Sequence, residues 1–344
     1  MRRALWATLS GFVLSFALTA PMHGCSTESG AGAPSNGDAG GAADDADIAQ
    51  EDGSTTGLRD AASAGDASSA TTDGGLDPTP RCTQAGAHDD LTSAPQPPPP
   101  LVAGVSFLTD WAANPASGGW KRTQIIDACR YHGDGFTWHG KAGARVEVDP
   151  GDDPLSLGAG SERAEVLAMQ DAQGNDISES TASGDVYYAT SYFFPAVWDG
   201  TFLKGNSNSW SFVMQLYPWA GLAAGRRGPG QPQVYFLIAG GVELDFASGG
   251  NILLGKWTDF VVLVRWSIGH VTLWRRDEGA AAFVKEVEGS GGAVSGSPIY
   301  AKQGLYRGGD VTGRTDVLWI GPTARGATFT AVEQAAFGTN AGPP

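Results

Sequence analysis

Apolar and polar residues alternate over many short stretches of the second half of the chain, which is the pattern of β-strands. In ARVEV (144–148), small and apolar residues alternate with Arg145 and Glu147, because successive side chains of a strand point to opposite faces. Other segments are rich in β-branched and aromatic residues: VYYATSYFF, SWSFVMQLY, AFVKEVEG, PIYAKQGLYR and TDVLWIG. The pattern predicts a chain built mainly of strands.

Two longer segments are predicted to form β-hairpins. PQVYFLIAGGVELDF would turn at Gly240–Gly241, and WTDFVVLVRWSIGHVTLWRR would turn at Ile268–Gly269. Helical patterns are few: GGWKRTQIIDA near the start of this region and TFTAVEQAAF near its end. Many strands with glycine-rich turns and little helix predict two antiparallel sheets packed as a sandwich or jelly roll.

Composition divides the 344-residue chain into three parts. Residues 1–25 form a leader, residues 26–100 are rich in Gly, Ala, Ser, Asp and Pro without any Phe, Tyr or Trp, and residues 101–344 contain the strand patterns. A segment without aromatic residues cannot bury enough surface to offset its ordering entropy. We therefore predict a disordered tether over 26–100 and one folded domain over 101–344.

The leader begins MRR, continues with an apolar run and ends at Gly24–Cys25. This order is typical of a secretion signal, and the run is short for a membrane span. A cysteine after a small residue favours a bacterial lipoprotein lipidated at Cys25, and Ser26 then favours the outer membrane; ordinary cleavage without a lipid is the alternative. We expect an exported protein that contacts a membrane only through this lipid or is extracellular.

Charge is concentrated in the tether, which carries 13 acidic and 2 basic residues, whereas residues 101–344 carry 24 acidic and 18 basic residues. The mildly acidic folded part therefore indicates no nucleic-acid partner, and we expect a monomer. Of the three cysteines, Cys82 and Cys129 remain after the leader. In an exported protein they are expected to form a disulfide, with two free thiols as the alternative.

Three segments place unusual polar residues on one face of a strand. Arg163 and Glu165 alternate with small and apolar residues in SERAEVL, and Gln215 and Tyr217 do so in SFVMQLYP, with Phe212, Met214 and Leu216 on the other face. YAKQGLYR puts Tyr300, Lys302 and Tyr306 on one face, with Ala301 and Leu305 behind. If these strands share a sheet, its outer face combines cations, a carboxylate, an amide and phenols.

In this order, the segments SERAEVL, MQLY and YAKQGLYR resemble jelly-roll polysaccharide lyases of the heparin lyase I-like and glucuronan lyase-like families, which are related to alginate lyases. The counterparts in those families are R-x-E-L, Q-x-H and Y-x-K-x-G-x-Y. The resemblance implies a concanavalin A-like fold with a concave groove. It also implies an anionic polysaccharide as the substrate, cleaved by β-elimination beside a uronate carboxylate.

The resemblance implies roles for individual residues. Arg163 and Gln215 would neutralise the carboxylate, and Tyr306 would act as the acid or as both acid and base, with its pKa depressed by Lys302 and Arg163. Substrate-binding residues would be Lys302, Tyr300, Tyr217, Glu165 and Arg307.

Tyr217 stands where these families have a histidine, so the role of that histidine is either lost or assigned elsewhere. His139 is the candidate for it, and an exposed loop histidine is the alternative interpretation.

Other hypotheses remain open from the residues. VELDF, with Glu243 and Asp245, resembles part of a glycoside hydrolase signature but lacks its third acidic position. Aromatic residues such as Trp210 and Trp219 would suit a lectin-like surface lipoprotein that binds carbohydrate without catalysis, and a tethered scaffold is a further possibility.

No cofactor is predicted, and no Cys/His pattern predicts a metal site. The weaker alternative is calcium bound by Asp149, Asp152 and Asp153 in VDPGDDP, although such a turn is more often only a turn.

Overall fold

The fold comes from a computed structural model of the chain. The structure describes residues 76–82, 101–109, 111, 118–155, 162–198, 211–225, 231–239, 241–292, 294, 298–308 and 314–338, without the side chains at 132, 134 and 135. The predicted lipidation site Cys25, most of the predicted tether and Trp210 lie outside these residues.

One antiparallel sheet, sheet A, contains nine strands. They are β1 (Val105–Leu108), β3 (Tyr131–Trp138), β4 (Lys141–Val148), β6 (Asp185–Phe194), β11 (Lys256–Arg265), β12 (His270–Asp277), β13 (Val284–Ser290), β15 (Asp316–Ile320) and β16 (Ala324–Gly326). The spatial order is β13-β12-β11-β6-β15-β4-β3, and β16 joins β1 to β6.

The second antiparallel sheet, sheet B, contains seven strands. They are β2 (Trp120–Gln124), β5 (Glu162–Met169), β7 (Ser211–Tyr217), β8 (Ala220–Gly225), β9 (Gln233–Ile238), β10 (Val242–Leu244) and β14 (Tyr300–Arg307). Their order is β10-β9-β8-β7-β14-β5-β2. Strands distant in sequence are therefore neighbours at the centre of this sheet.

The main hydrophobic core lies between the two sheets. Alternate residues of β4 in sheet A, such as Val146, and of β5 in sheet B, such as Val166, are fully buried in it. This arrangement follows from the period of two along each strand. The prediction of an all-β, concanavalin A-like jelly roll of two packed antiparallel sheets is confirmed, and so are both hairpins, as β9–β10 and β11–β12.

The predicted helix over GGWKRTQIIDA is wrong. Its first half is the edge strand β2, and a 3-10 helix, Ala128–Arg130, follows. Trp120 is buried against Phe107, and β2 takes its backbone hydrogen bonds from β5. Tertiary pairing therefore overrides a weak helical pattern.

The second predicted helix is confirmed as α1 (Phe329–Phe337). The side chain of Thr328 accepts a hydrogen bond from the Ala331 N–H at its start, and Gly338 ends it with a φ of 66°. The apolar face of α1, including Val332 and Phe337, packs on the outer side of sheet A.

Part of the predicted tether belongs to the folded unit. Leu76 packs on an aromatic cluster outside sheet A that includes Trp257 and Trp319. The carboxylate of Glu147, which is fully buried, accepts hydrogen bonds from the backbone N–H groups of Arg81 and Cys82 at 2.9 and 3.0 Å. The predicted domain boundary at residue 100/101 is therefore too late.

The same segment is held covalently and by charge. Cys82 and Cys129 form a disulfide. Two buried guanidinium groups, those of Arg130 and Arg145, flank the carboxylate of Glu147 at 2.9 and 2.8 Å. They also donate to the backbone carbonyls of Cys82 and Thr79. Each buried charge is thus paired and hydrogen-bonded, which a buried charge requires.

We expect a chain beginning at residue 101 to be less stable than one beginning at residue 76. Loss of the disulfide should lower the free energy of unfolding by about 2–4 kcal/mol. Loss of the two N–H donors to buried Glu147 should lower it by a further 1–3 kcal/mol or so. Denaturant unfolding measures both.

The chain beginning at residue 76 with Cys82→Ser and Cys129→Ser separates the two contributions, because it keeps the N–H donors. Equal stability of this variant and the chain beginning at 101 would show that the docked segment contributes nothing beyond the disulfide.

Candidate functional site

The three strands singled out by sequence lie side by side. Strand β14 pairs with β5 on one side and with β7 on the other. Tyr306 lies opposite Arg163, Gly304 opposite Glu165 and Lys302 opposite Gln215. Ala164 and Leu305 enter the core on the other side. The polar residues therefore share the outer face of sheet B.

One residue of β7 departs from the predicted alternation. Phe212 was expected behind the sheet with Met214 and Leu216, but the pairing with β8 shifts between Phe212 and Met214. Val213 and Met214 both enter the core, whereas Phe212 lines the outer face beside Gln215. A bulge of this kind places two consecutive residues on one face and turns the preceding residue outward.

Gly304 allows β14 to approach β5 closely. Its φ is +149°, and a Cβ atom there would lie 2.1 Å from the carbonyl oxygen of Ala164 and 2.7 Å from the Cα of Glu165. Any side chain would therefore force the strands apart. The pairing of β14 with β7 also becomes irregular between Gln303 and Tyr306.

The guanidinium of Arg163 lies over the ring of Tyr306, with 3.8 Å between its Cζ and the ring centroid. It also donates a hydrogen bond to the side-chain oxygen of Gln124 at 3.3 Å. Arg163 is only 3% exposed, whereas Tyr306 is half-buried. The phenol thus lies between the cation and the solvent.

Lys302 forms a second pair of the same kind. Its Nζ lies 4.2 Å from the ring centroid of Tyr217 and 5.7 Å from that of Tyr300, and the two rings contact each other at 5.6 Å. Lys302 is 2% exposed and its Nζ lies 3.5 Å from the side-chain oxygen of Gln124. The outer face therefore has two layers, with phenols above and cations below.

Glu165 supplies the negative charge of the lower layer. It is 1% exposed, and one of its oxygens lies 3.8 Å from the guanidinium of Arg163. Burial raises the pKa of this carboxyl group, and the charges of Lys302 and Arg163 oppose the rise. With Glu165 ionised, the two cations and this carboxylate leave one net positive charge beneath the phenols.

The pKa of Tyr306 is raised above its ordinary value of 10.0, mainly by burial and against the opposing charge of Arg163. Glu165 contributes to the rise. The expectation that Lys302 and Arg163 would depress the pKa of Tyr306 is therefore wrong in its net direction. The phenol holds its proton at neutral pH, which suits an acid.

An open pocket of about 240 Å³ adjoins Tyr217 on the β8–β9 side. Its wall includes Gln215, Tyr217 and Pro218, together with Phe212, Trp219, Ala220, Gly221, Leu237, Ile238, Ala239 and Gly241. None of these described lining residues carries a charged side chain. Gln215 is 7% exposed, and its side-chain oxygen is buried without a hydrogen-bond donor.

One row of facing residues crosses all seven strands of sheet B. From β2 to β10 it consists of Arg122, Leu167, Lys302, Gln215, Gly221, Leu237 and Glu243. Arg122 is exposed and lies two strand spacings, about 10 Å, from Lys302. Arg122 is not among the predicted site residues, because its segment was predicted to be helical.

His139 does not join this site. It follows β3 in sheet A, where its Nε2 lies 2.9 Å from a carboxylate oxygen of Asp259. Its ring contacts Trp138 and Phe337 of α1. Burial raises the pKa of Asp259, but hydrogen bonds from His139, Trp138 and Ser191 outweigh it and leave the pKa lowered. The hypothesis of a catalytic role for His139 beside Tyr306 is therefore corrected.

Arg307 does not face the site either, because it alternates with Tyr306 along β14. It is fully buried and pairs with Glu162 at 2.8 Å and with Asp316 of sheet A at 2.6 Å. The pair with Asp316 links the two sheets, so the prediction that Arg307 binds substrate is corrected.

Two of the three proposed calcium ligands, Asp149 and Asp152, are engaged by a cationic side chain. Arg130 pairs with Asp149 at 2.6 Å and with Asp152 at 2.9 Å, so a guanidinium occupies the position that a cation would need. Within the described part of the chain, no group of three or more His, Cys, Asp or Glu residues could hold a metal ion.

The structure bears on two further hypotheses. Glu243 lies on the edge strand β10 and Asp245 follows that strand, so neither lies on the central strands β5, β14 and β7. Trp219 is among the pocket residues but is only 1% exposed, so little of its ring is available to stack on a sugar.

Among the described residues, no helix has the length and apolar character needed to cross a membrane.

No protein-family model and no curated protein matches the chain. Solved structures with similar architecture include a GH131 β-glucanase catalytic domain from Podospora anserina, at 13% identity over 57% of this chain and 76% of that chain, with a TM-score of 0.42. An alginate lyase from Pseudomonas aeruginosa is 14% identical over 52% and 78%, with a TM-score of 0.31. Peanut lectin is 12% identical over 65% and 98%, with a TM-score of 0.33. These likenesses concern the fold alone and assign neither a family nor an activity to this chain.

We expect Gly304→Ala to destabilise the protein strongly, because the added Cβ overlaps the backbone of β5. Gly151→Ala is the matched control, since Gly151 has a φ of +87° but nothing within 4 Å of the added Cβ. The control should lose about 1–2 kcal/mol in free energy of unfolding through backbone strain alone. Gly304→Ala should lose at least about 3 kcal/mol, since overpacking adds to the strain. Equal losses in denaturant unfolding would contradict the close approach of β14 to β5.

Proposed function

We propose that this protein binds an anionic polysaccharide on the outer face of sheet B and cleaves it by β-elimination next to a uronate. The observation that carries the proposal is the pairing of a protonated phenol, Tyr306, with the guanidinium of Arg163 at 3.8 Å, beside Lys302 and an open pocket. An acid next to fixed positive charge is the combination that this reaction needs.

Each chemical step can be assigned to groups on this face. A base removes the proton from sugar carbon 5, and its electron pair forms the double bond to carbon 4. The bond from carbon 4 to the bridging oxygen breaks, and that oxygen takes the proton of Tyr306. Arg163 and the side-chain amide N–H of Gln215 stabilise the anion that develops at the carboxylate, and the buried cations beneath the phenols make the local potential positive.

Tyr217 is the group we assign as the base, in the position where the related families have histidine. The Lys302 ammonium lies 4.2 Å from the centroid of its ring. Tyr217 and Tyr306 also interact electrostatically, so they face the same region. His139 is bound to Asp259 on sheet A and is not needed for this role.

A second candidate function, carbohydrate binding without chemistry, is favoured by one observation. Arg163 and Lys302 are almost fully buried, and the raised pKa of Tyr306 makes it a poor base. A half-buried aromatic surface beside an uncharged pocket is suited to stacking on sugar rings. Catalysis and binding alone differ in one measurable product, the unsaturated sugar.

We also propose that the protein is exported, because the Cys82–Cys129 disulfide suits an oxidising compartment. Attachment through a lipid on Cys25 remains part of this proposal.

Tyr306→Phe should lower kcat on a uronate polysaccharide by at least about 100-fold, because it removes the acid and keeps the ring over Arg163. Ultraviolet absorbance of the unsaturated product measures the rate. The unchanged chain should keep its acid protonated up to its raised pKa, so the activity should show no loss due to Tyr306 below pH 10 or so.

Tyr187→Phe is the matched control, since it removes a hydroxyl from sheet A rather than from the site. Full activity of Tyr306→Phe would remove Tyr306 from the mechanism. Binding of a polysaccharide without any unsaturated product in the unchanged chain would favour the second candidate.

Tyr217→Phe should also lower kcat by about 100-fold or more, because a phenyl ring accepts no proton. Tyr217→His should retain more activity than Tyr217→Phe, since imidazole can serve as a base at neutral pH. Comparable rates for Tyr217→Phe and the unchanged chain would rule out Tyr217 as the base.

A further inference from the structure

Charge is distributed unevenly along the row that crosses sheet B. Arg122 and Lys302 lie in the half formed by β2, β5 and β14, and Arg163 lies beside them on β5. The half formed by β7, β8 and β9 contributes Gln215, Gly221 and Leu237 to the row. A ligand lying across the strands would therefore meet cations over β2, β5 and β14, uncharged groups over β7, β8 and β9, and the exposed carboxylate of Glu243 on β10.

The pocket lies in the uncharged half. Gly221 forms part of its floor, where a Cβ would meet the Phe212 ring at 2.6 Å and the carbonyl oxygen of Met214 at 2.8 Å. The absence of a side chain at Gly221 therefore lets Phe212 fold across the neighbouring strand. Phe212, Tyr217 and Pro218 offer apolar ring surfaces of the kind that pack against the C–H faces of a sugar.

Gln215 marks this pocket as a site for a hydrogen-bond donor. The residue is 7% exposed and lines the pocket, and its side-chain oxygen has no donor in the structure. A buried acceptor without a partner is costly, so a bound group that donates a hydrogen bond would be stabilised here. A sugar hydroxyl or amide N–H can donate, whereas an ionised carboxylate only accepts.

We propose that this pocket binds an uncharged sugar unit, so that the substrate is an acidic heteropolysaccharide in which a uronate adjoins an uncharged residue. This inference rests on the proposed function and names its substrate class. The uronate would lie over Tyr306 and Tyr217, and the chain would continue over β2 toward Arg122. A uronate in the pocket would lose its hydration without gaining a charged partner among the described lining residues.

The inference predicts a binding preference that does not depend on catalysis. Two probes of equal length are compared on the Tyr306→Phe chain: an oligosaccharide alternating glucuronate with N-acetylglucosamine, and an oligoglucuronate. Calorimetric titration should show the alternating probe binding at least about tenfold more tightly. Leu237→Lys places an ammonium in the pocket wall, so it should reduce this ratio by about tenfold or reverse it.

Val284→Lys is the matched control, because it adds the same charge at a side chain that is 59% exposed on the edge of sheet A. The ratio of the two dissociation constants should not change in this variant. Thermal unfolding shows whether each variant keeps its fold.

The outcomes separate the two proposals. In one outcome the chain prefers the alternating probe, Leu237→Lys reduces this preference, and the unchanged chain releases no unsaturated product. This result supports the uncharged pocket and overturns catalysis. In another outcome the chain cleaves uronate polymers, but it binds both probes equally, or Leu237→Lys changes both dissociation constants by the same factor. This result overturns the uncharged pocket and leaves the proposed lyase activity intact. Failure of the chain to bind either probe overturns both.

Discussion

The close approach of β14 to β5 at Gly304 is the constraint on which the candidate site depends. The backbones approach so closely that a Cβ at position 304 would lie 2.1 Å from the carbonyl oxygen of Ala164 and 2.7 Å from the Cα of Glu165. This approach sets the register that stacks Tyr306 on Arg163 and places Lys302 beside Tyr217. A different residue at 304 would change the spacing of every group on this face, because the groups come from three adjacent strands.

Burial of charge is the second determinant of the site. Arg163 and Lys302 lie beneath aromatic rings, and Glu165 lies between them in the same layer. Charges removed from water act over longer distances than exposed ones, since the surroundings screen them less. The same burial keeps the phenol of Tyr306 protonated. Positive potential and a retained proton therefore have one physical origin.

The period of two along β5 and β14 made the outer face of sheet B predictable from the sequence, because alternation alone assigns Arg163, Lys302 and Tyr306 to one side. Three features had no comparable signal. The bulge that turns Phe212 outward depends on pairing with β8. The docking of residues 76–82 depends on hydrogen bonds from backbone N–H groups to Glu147. Every residue type other than proline has such an N–H group, so no sequence pattern indicates these bonds. The position of His139 depends on Asp259, 120 residues away.

The attachment of residues 76–82 also determines how the domain responds to a mechanical load. A force applied to the chain ahead of Leu76 enters the folded unit through the disulfide at Cys129 and through the carboxylate of Glu147. Both anchor points belong to the side of sheet A that faces away from the core, at β4 and the 3-10 helix before β3. The ladder that joins β5, β14 and β7 lies in the other sheet. Tension on the chain would therefore load sheet A before it reaches the geometry around Tyr306.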